Sequence, residues 1–460
     1  MKNDSFFKIK NILLTGFLVI FISPLVRAAA HNARKHSASV NSQFATTIAS
    51  ITTSAYTRNT SSSLDTWLKS EEQISINHII ANTSAAGTRA GSIIASPSKN
   101  DPNYFYNWVR DGALVMDIWM RKLEKPLGVM ARTQYEHYMW DYVSFISYGM
   151  QFPSYSGPGE PRYNVDGTPN LEPWGRPQND GPALRASLLI RFIKYLISQN
   201  QNQVAIERVW PIVANDLRYV GQNVSLTSVD LWEEVRGQHF YTQVVQRAAL
   251  RSGAELSNYL GYIADASWLY AQASVVESLI KNHYDFSEML IVENLQISNQ
   301  LNLVSADRLN NKSSGLDVAT VLAVLHTQAQ PILNFDDEIL VSTVNKINNK
   351  FFEIYSINSK YKNLGVAIGR YPEDTYYGGN PWFLATLAYA EYYYIKGDIS
   401  TGDEYMSRVK FHTDEHGSMS EQMNRENGYM LSARDLTWNY AAFLTAYQAR
   451  IAAQQTQLDK

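Results

Sequence analysis

The chain has 460 residues, enough for one large domain or two ordinary ones, and 45% of them are apolar. Its net charge of -3, without a basic-aromatic stripe, argues against a nucleic-acid partner. It has no cysteine, which excludes disulfides, thiol catalysis and thiolate metal sites.

The first 30 residues predict a signal peptide. Three lysines in the first ten residues precede an apolar stretch at 12–22 and three alanines at 28–30. The stretch is short for a membrane span, so an uncleaved anchor is the less favoured reading. No later segment is continuously apolar over membrane length. We therefore expect a secreted protein that is free of the membrane after cleavage.

Residues 31–63 are rich in Ser, Thr, Asn and Ala and predict a mobile N-terminal segment. The ordered domain is expected at 64–460, where apolar residues recur at steps of three and four. These helical patterns lie at 131–150, 183–197, 239–251, 257–281, 316–327, 382–396, 402–411 and 437–452. Alternating strand patterns are scarce. The pattern predicts an all-α domain, a helical barrel with its loops collected at one end.

Long loops rich in Gly, Pro, Asn and aromatic residues separate these helices, at 151–182, 223–238, 361–381 and 412–435. The chain has no phosphate-binding glycine loop, no His-Glu-x-x-His zinc motif and no Gly-x-Ser-x-Gly elbow. Carboxylates, arginines and tryptophans dominate the loops instead. Each of these groups alone is more often a structural ion pair or a loop anchor than a functional residue. Together, carboxylates and aromatic platforms are what glycoside hydrolysis requires.

Five loop motifs carry a resemblance to a known family. They are "YFYNWVRD", "WGRPQNDGPALR", "DLWEEV", "GRYPEDTYY" with "NPWFLA", and "SMSEQ" with "LSARDLTW". In this order, over residues 64–450, the chain resembles the glucoamylases, the glucan 1,4-α-glucosidases. The resemblance implies an (α/α)6 barrel, six inner helices within six outer ones, and hydrolysis with inversion.

The resemblance also assigns roles to individual residues. By the "WEE" match Glu233 is the general acid, and Glu234 binds sugar hydroxyls beyond the cleavage point. By the "SEQ" match Glu421 is the general base. A second carboxylate beside the acid favours its protonated form, as its role requires.

The remaining matches imply a set of substrate-binding positions. Tyr104 and Ser432 would orient the base or its water. Arg110 and Asp111 would hold the terminal glucose with help from Arg370, which Asp374 would fix. The full implied set is Tyr104, Trp108, Arg110, Asp111, Trp174, Leu231, Trp232, Glu234, Arg370, Asp374, Tyr376, Trp382, Ser432 and Trp438.

The resemblance implies no cofactor and no metal, a monomer, and α-glucan substrates such as starch, dextrins and maltooligosaccharides. Met423 and Arg236 depart from the family pattern and bear on the pocket floor and outer subsites. Since no starch-binding module follows the barrel pattern, raw granular starch is expected to be a poor substrate. Two alternatives stay open: an exo-glucosidase for α-1,6 links or trehalose on the same barrel, and a secreted glycan-binding protein with a dead site.

Overall fold

Helices make up most of the structure, a computed structural model that describes residues 63–297, 304–308 and 310–459. The expected signal peptide at 1–30 and the segment 31–62 lie outside the described residues. The first helix begins where the sequence predicts it. Ser63 is its N-cap, and the Ser63 hydroxyl accepts a hydrogen bond from the backbone N–H of Thr66.

Twelve helices of eight or more residues are present in this described part of the chain. They are α1 Leu64–Asn82, α2 Val109–Leu123, α3 Val129–Gly149, α4 Asp180–Ser198, α5 Trp210–Gln222, α6 Phe240–Tyr259, α7 Ile263–Ile280, α8 Ala319–His326, α9 Glu338–Ile354, α10 Phe383–Ile395, α11 Ile399–His412 and α12 Thr437–Leu458. Shorter helices occupy Asn202–Val204 and Ser356–Lys360.

The even-numbered helices form a closed inner ring. α2 packs on α4, α4 on α6, α6 on α8, α8 on α10, α10 on α12, and α12 returns to α2. The odd-numbered helices lie outside this ring: α1 packs on α12, α3 on α2, α5 on α4 and α6, α7 on α6, and α11 on α10. α9 reaches the ring through a hydrogen bond from the Tyr389 hydroxyl of α10 to the Val344 carbonyl. This is the expected (α/α)6 barrel.

The two layers differ in sequence for a physical reason. An inner helix is surrounded by neighbours, so α8, with the sequence ATVLAVLH, buries seven of its eight residues. The outer helix α5 buries one face only, with Ile212, Val213, Leu217 and Val220 at helical spacing. The core therefore lies within the ring and between the two layers.

The strands are short and belong to the loops. They are β1 Asn107–Trp108, β2 Arg162–Tyr163, β3 Ser228–Val229, β4 Arg236–His239, β5 Tyr284–Asp285, β6 Leu290–Ile291, β7 Asn294–Ile297, β8 Val304–Arg308, β9 Gln422–Met423 and β10 Met430–Leu431. β3, β4, β7 and β8 form an antiparallel sheet in that order, and the other strands pair as β1–β2, β5–β6 and β9–β10. In the first hairpin Trp108 lies opposite Arg162.

Three helices of the barrel, α2, α5 and α9, have no counterpart among the patterns read from the sequence. The stretch 103–114 was expected to be a loop, but α2 begins at Val109. Arg110 and Asp111 are therefore fixed in the first turn of an inner helix. No helix in the described ranges combines the length and apolar character needed to cross a membrane.

Candidate active site

One end of the barrel holds a cavity of about 590 Å³. Its walls come from the segments that precede inner helices, since Trp108 is the residue before α2, Trp382 is the residue before α10, and Glu421 precedes α12. The loop before α6 contributes Trp232 and both adjacent glutamates. The fold thus brings Glu233 and Glu421, which are 188 residues apart in sequence (421 − 233), into one pocket.

Most of the positions singled out from the sequence line this cavity. They are Tyr104, Trp108, Arg110, Asp111, Trp174, Leu231, Trp232, Glu233, Glu234, Arg370, Tyr376, Trp382, Glu421 and Trp438. The other two lie behind the wall. Asp374 contacts Arg370, and Ser432 contacts Glu421.

The Glu233 carboxylate is held through one oxygen. Its Oε1 accepts hydrogen bonds from Trp108 Nε1 at 2.7 Å and Gln178 Nε2 at 2.9 Å, and Arg110 Nη2 lies 3.6 Å away. Within the described part of the chain Oε2 has no hydrogen-bond partner. The side chain is 17% exposed, so this second oxygen is available to a molecule in the pocket.

Glu234 is held through both oxygens. Arg370 Nη2 donates to its Oε1 at 2.7 Å, and the Tyr371 hydroxyl donates to its Oε2. Burial raises the pKa of Glu234, although Arg370 and Tyr371 act in the opposite direction. Arg370 also makes two bonds to Asp374, at 2.8 and 2.6 Å, so a fixed guanidinium positions this glutamate.

Glu421 is almost wholly buried, with 1% exposed. Its Oε2 accepts hydrogen bonds from Ser432 Oγ at 2.5 Å and Gln422 Nε2 at 2.9 Å. Burial raises the pKa of Glu421, and the bonds from Ser432, Gln422 and Tyr104 lower it less than burial raises it. The Tyr104 hydroxyl is in turn 3.0 Å from that of Tyr376.

Arg110 and Asp111 form the wall beside Glu233. Arg110 Nη1 donates to Gln178 Oε1 and Asp180 Oδ2, both at 3.0 Å. Arg110 Nε and Asp111 Oδ2 are 3.5 Å apart, and both are buried without a hydrogen-bond partner in the described structure. Burial raises the pKa of Asp111 to about 6, against the attraction of Arg110. The two atoms form an ion pair with each other, and neither uses its hydrogen-bonding capacity within the described structure.

Aromatic rings cover much of the remaining wall. Trp108 meets Tyr104 edge-on with centroids 5.3 Å apart and Trp174 at 6.2 Å, while Trp232 and Trp382 are 5.7 Å apart. Trp174 is 38% exposed at the rim. Such faces suit the apolar faces of sugar rings.

Sequence reasoning did not single out several groups that shape the site. Gln178 bonds both Arg110 and Glu233, and Tyr371 bonds Glu234. Both residues lie inside the motifs that carry the family resemblance, "WGRPQNDGPALR" and "GRYPEDTYY". Their place in these motifs is the sequence signal that could have identified them. The indole N–H that bonds the Glu233 carboxylate belongs to Trp108. The neighbouring Trp232 donates its indole N–H to Asp317 instead, at 2.9 Å.

Comparison with known proteins shows to which family the chain belongs. The family model described as glycosyl hydrolases family 15 matches residues 70–401 and 399–448. A glucoamylase of Blastobotrys adeninivorans is 32% identical over 462 residues, covering 85% of this chain and 72% of that protein.

Two solved structures are similar in fold as well. The glucoamylase from Saccharomycopsis fibuligera superposes with a TM-score of 0.77 at 27% identity, over 87% of this chain and 97% of that one. The family 15 glucoamylase from Hypocrea jecorina superposes with a TM-score of 0.78 at 31% identity, over 85% of this chain and 73% of that one. The chain belongs to glycosyl hydrolase family 15.

Proposed function

We propose that this glycoside hydrolase removes single glucose units from the non-reducing ends of α-1,4-glucans, with inversion to β-D-glucose. Starch, dextrins, maltooligosaccharides and glycogen are the proposed substrates. The observation that carries the proposal is the pair of carboxyl groups, Glu233 and Glu421, in one aromatic pocket whose wall also holds the Arg110–Asp111 ion pair.

Hydrogen bonding supports Glu233 as the general acid. Its Oε1 already accepts two N–H donors, so a proton belongs on Oε2, the oxygen without a partner in the described structure. In the proposed reaction Oε2 gives this proton to the glycosidic oxygen as the C1–O bond breaks. Glu234 has both oxygens engaged and cannot easily move a proton. It is suited to accept hydrogen bonds from sugar hydroxyls in the adjoining subsite.

Glu421 is proposed as the general base. Ser432 and Gln422 both donate to Oε2, which fixes the plane of the carboxylate. Oε1 then takes a proton from water as the water oxygen bonds to C1 on the opposite face. One water is consumed, and glucose and a shortened glucan are released. Tyr104 and Ser432 would orient this base.

Arg110 and Asp111 are proposed to bind the terminal glucose by charge-assisted hydrogen bonds. Their places in the first turn of α2 make that wall rigid, which suits an enzyme that stops the chain after one unit. Arg370 is committed to Glu234 and Asp374, so we assign it to the side of the pocket where Glu234 lies. Trp108, Trp174, Trp232, Trp382 and Trp438 would line the subsites.

The test is to incubate purified protein with maltotriose, isomaltose and trehalose and to follow the released sugar by proton NMR. The expected result is β-glucose from maltotriose as the first product. Faster release from isomaltose or trehalose would indicate the related exo-glucosidase. Binding of maltotriose without turnover would indicate a glycan-binding protein.

We also propose that the protein is secreted as a monomer after removal of residues 1–30, and that 64–460 is the catalytic domain. The lysines and the apolar stretch at 12–22 support export. N-terminal sequencing of protein from the culture medium, with light scattering for its mass, tests both points. Protein that stays with the cells and keeps residues 1–30 would contradict export.

A further inference from the structure

A buried charged cluster lies behind the loop that carries Glu233. Lys312 is 2% exposed, and its Nζ lies 2.9 Å from Asp230 Oδ2 and 3.1 Å from Asp317 Oδ2. Both aspartates are fully buried. Burying an ammonium group is costly unless it is paired and hydrogen-bonded, and the two aspartates provide this pairing for Lys312.

The second oxygen of each aspartate holds the loop. Asp230 Oδ1 accepts the backbone N–H groups of Glu234 at 2.8 Å and Val235 at 3.0 Å. Asp317 Oδ1 accepts the indole N–H of Trp232 at 2.9 Å. The loop is thus anchored at Trp232 and at Glu234, the two residues that flank Glu233.

Glu233 itself has a backbone conformation that needs support. Its φ is +68°, in the left-handed region that residues with a side chain rarely adopt. Its N–H donates to the carbonyl of Asp230 at 3.0 Å. Such a conformation persists only where neighbouring contacts determine it, and here those contacts converge on the Lys312 ammonium.

Lys312 also touches the other side of the site. Its Nζ lies 4.0 Å from the centre of the Tyr371 ring, and the Tyr371 hydroxyl donates to Glu234. One cation therefore connects the supports of Trp232, Glu234 and Tyr371. Lys312 thus acts on the cavity through Asp230, Asp317 and Tyr371.

We propose that Lys312 is a positioning residue that sets the Glu233 carboxyl group for proton donation by bridging Asp230 and Asp317. This inference rests on the proposed role of Glu233 as general acid. A misplaced acid slows only reactions in which the leaving oxygen needs a proton. Maltose needs one, because its leaving group is a sugar alkoxide. α-D-Glucosyl fluoride needs little help, because C1–F breaks to give fluoride while water adds to C1.

The experiment compares kcat/KM for these two substrates in Lys312→Met, which keeps the length of the side chain and removes the charge. General acid–base groups contribute about 10²–10⁴-fold to rates. We therefore expect maltose hydrolysis to fall by about 30-fold or more and fluoride hydrolysis by less than about 3-fold. The matched control is Arg450→Met, which breaks a largely buried pair with Asp403 away from the cavity. It should leave the ratio of the two rates unchanged.

A second variant separates bridging from charge balance. Lys312→Met/Asp317→Asn removes one cation and one anion together, so Asp230 is not left facing a second uncompensated carboxylate. We expect this variant to fold and to keep the selective loss on maltose. Recovery of the wild-type ratio, or an equal loss on both substrates in either variant, would overturn the inference. Wild-type protein inactive on both substrates would instead refute the proposed function.

Discussion

Asp111→Asn should stabilise the fold while it removes sugar binding. Burial raises the pKa of Asp111 from 3.8 to about 6, so the folded protein holds this proton more tightly than the unfolded chain does. The stabilisation that comes from the bound proton is fully present below pH 3.8 and is lost as the pH rises through about 6. At pH 8 both states are ionised, and the buried charge then acts against folding.

The shift of about 2.2 units (6 − 3.8) corresponds to about 3 kcal/mol at 1.36 kcal/mol per unit. Asparagine keeps the shape and cannot ionise, and Arg110 keeps its bonds to Gln178 and Asp180. We expect the variant to gain about 1–3 kcal/mol in free energy of unfolding at pH 8 and little at pH 3.5.

Urea unfolding of wild type and Asp111→Asn at pH 3.5 and pH 8 measures this difference. Asp230→Asn is the control, because its effect on the free energy of unfolding at pH 8 should have the opposite sign. Burial would raise the pKa of Asp230, but Lys312, His239 and a backbone N–H lower it to about 2. That carboxylate stabilises the fold above its ordinary pKa and stops doing so as the pH falls through 2, so its loss should destabilise the protein at pH 8. Equal effects of Asp111→Asn at the two pH values would refute the reasoning.

Three further predictions follow from the site. Glu233→Gln should lower kcat by about 10²–10⁴-fold with sugar binding retained, whereas Glu234→Gln should chiefly raise KM for longer substrates; exchanged phenotypes in steady-state kinetics would reverse the assignment. Ser432→Ala removes a hydrogen bond that lowers the pKa of Glu421, so the acidic limb of the pH profile of kcat/KM should move to higher pH. An unmoved acidic limb would show that Glu421 is not the base. In a crystal structure with a bound inhibitor the Glu233 and Glu421 carboxyls should be about 6.5–9.5 Å apart, while about 5 Å would indicate retention.

The helices α2, α5 and α9 were not predicted from the sequence, although each of them has a clear apolar face. α2 has no side-chain cap at its first turn, and that turn contains Arg110 and Asp111, which resemble a polar loop. α5 follows a π-helical turn and has Pro211 in its first turn, a helix-start signal that was not used in the prediction. The apolar faces of all three helices pack within the barrel, so the signal for them was present in the sequence.

Lys312 marks another limit of prediction from sequence. It lies in "NNKSSG", a stretch typical of a solvated turn, and nothing local indicates burial. The ammonium is buried because two aspartates, 82 and 5 residues away, converge on it in the fold. The different burial of the two glutamates is likewise set by the fold, since Glu421 is enclosed while the side chain of Glu233 is 17% exposed.

The carboxylates around the cavity divide according to how many of their oxygens the protein occupies. Asp230 and Asp374 accept hydrogen bonds at both oxygens, and each holds a cation and part of a loop. Glu233 accepts its bonds at one oxygen, and Asp111 Oδ2 accepts none. A carboxylate bonded at both oxygens is fixed in place, whereas one with an unused oxygen can exchange a proton there. This difference, which adjacent letters in a sequence cannot show, is the physical reason for assigning proton transfer to Glu233 and not to Glu234.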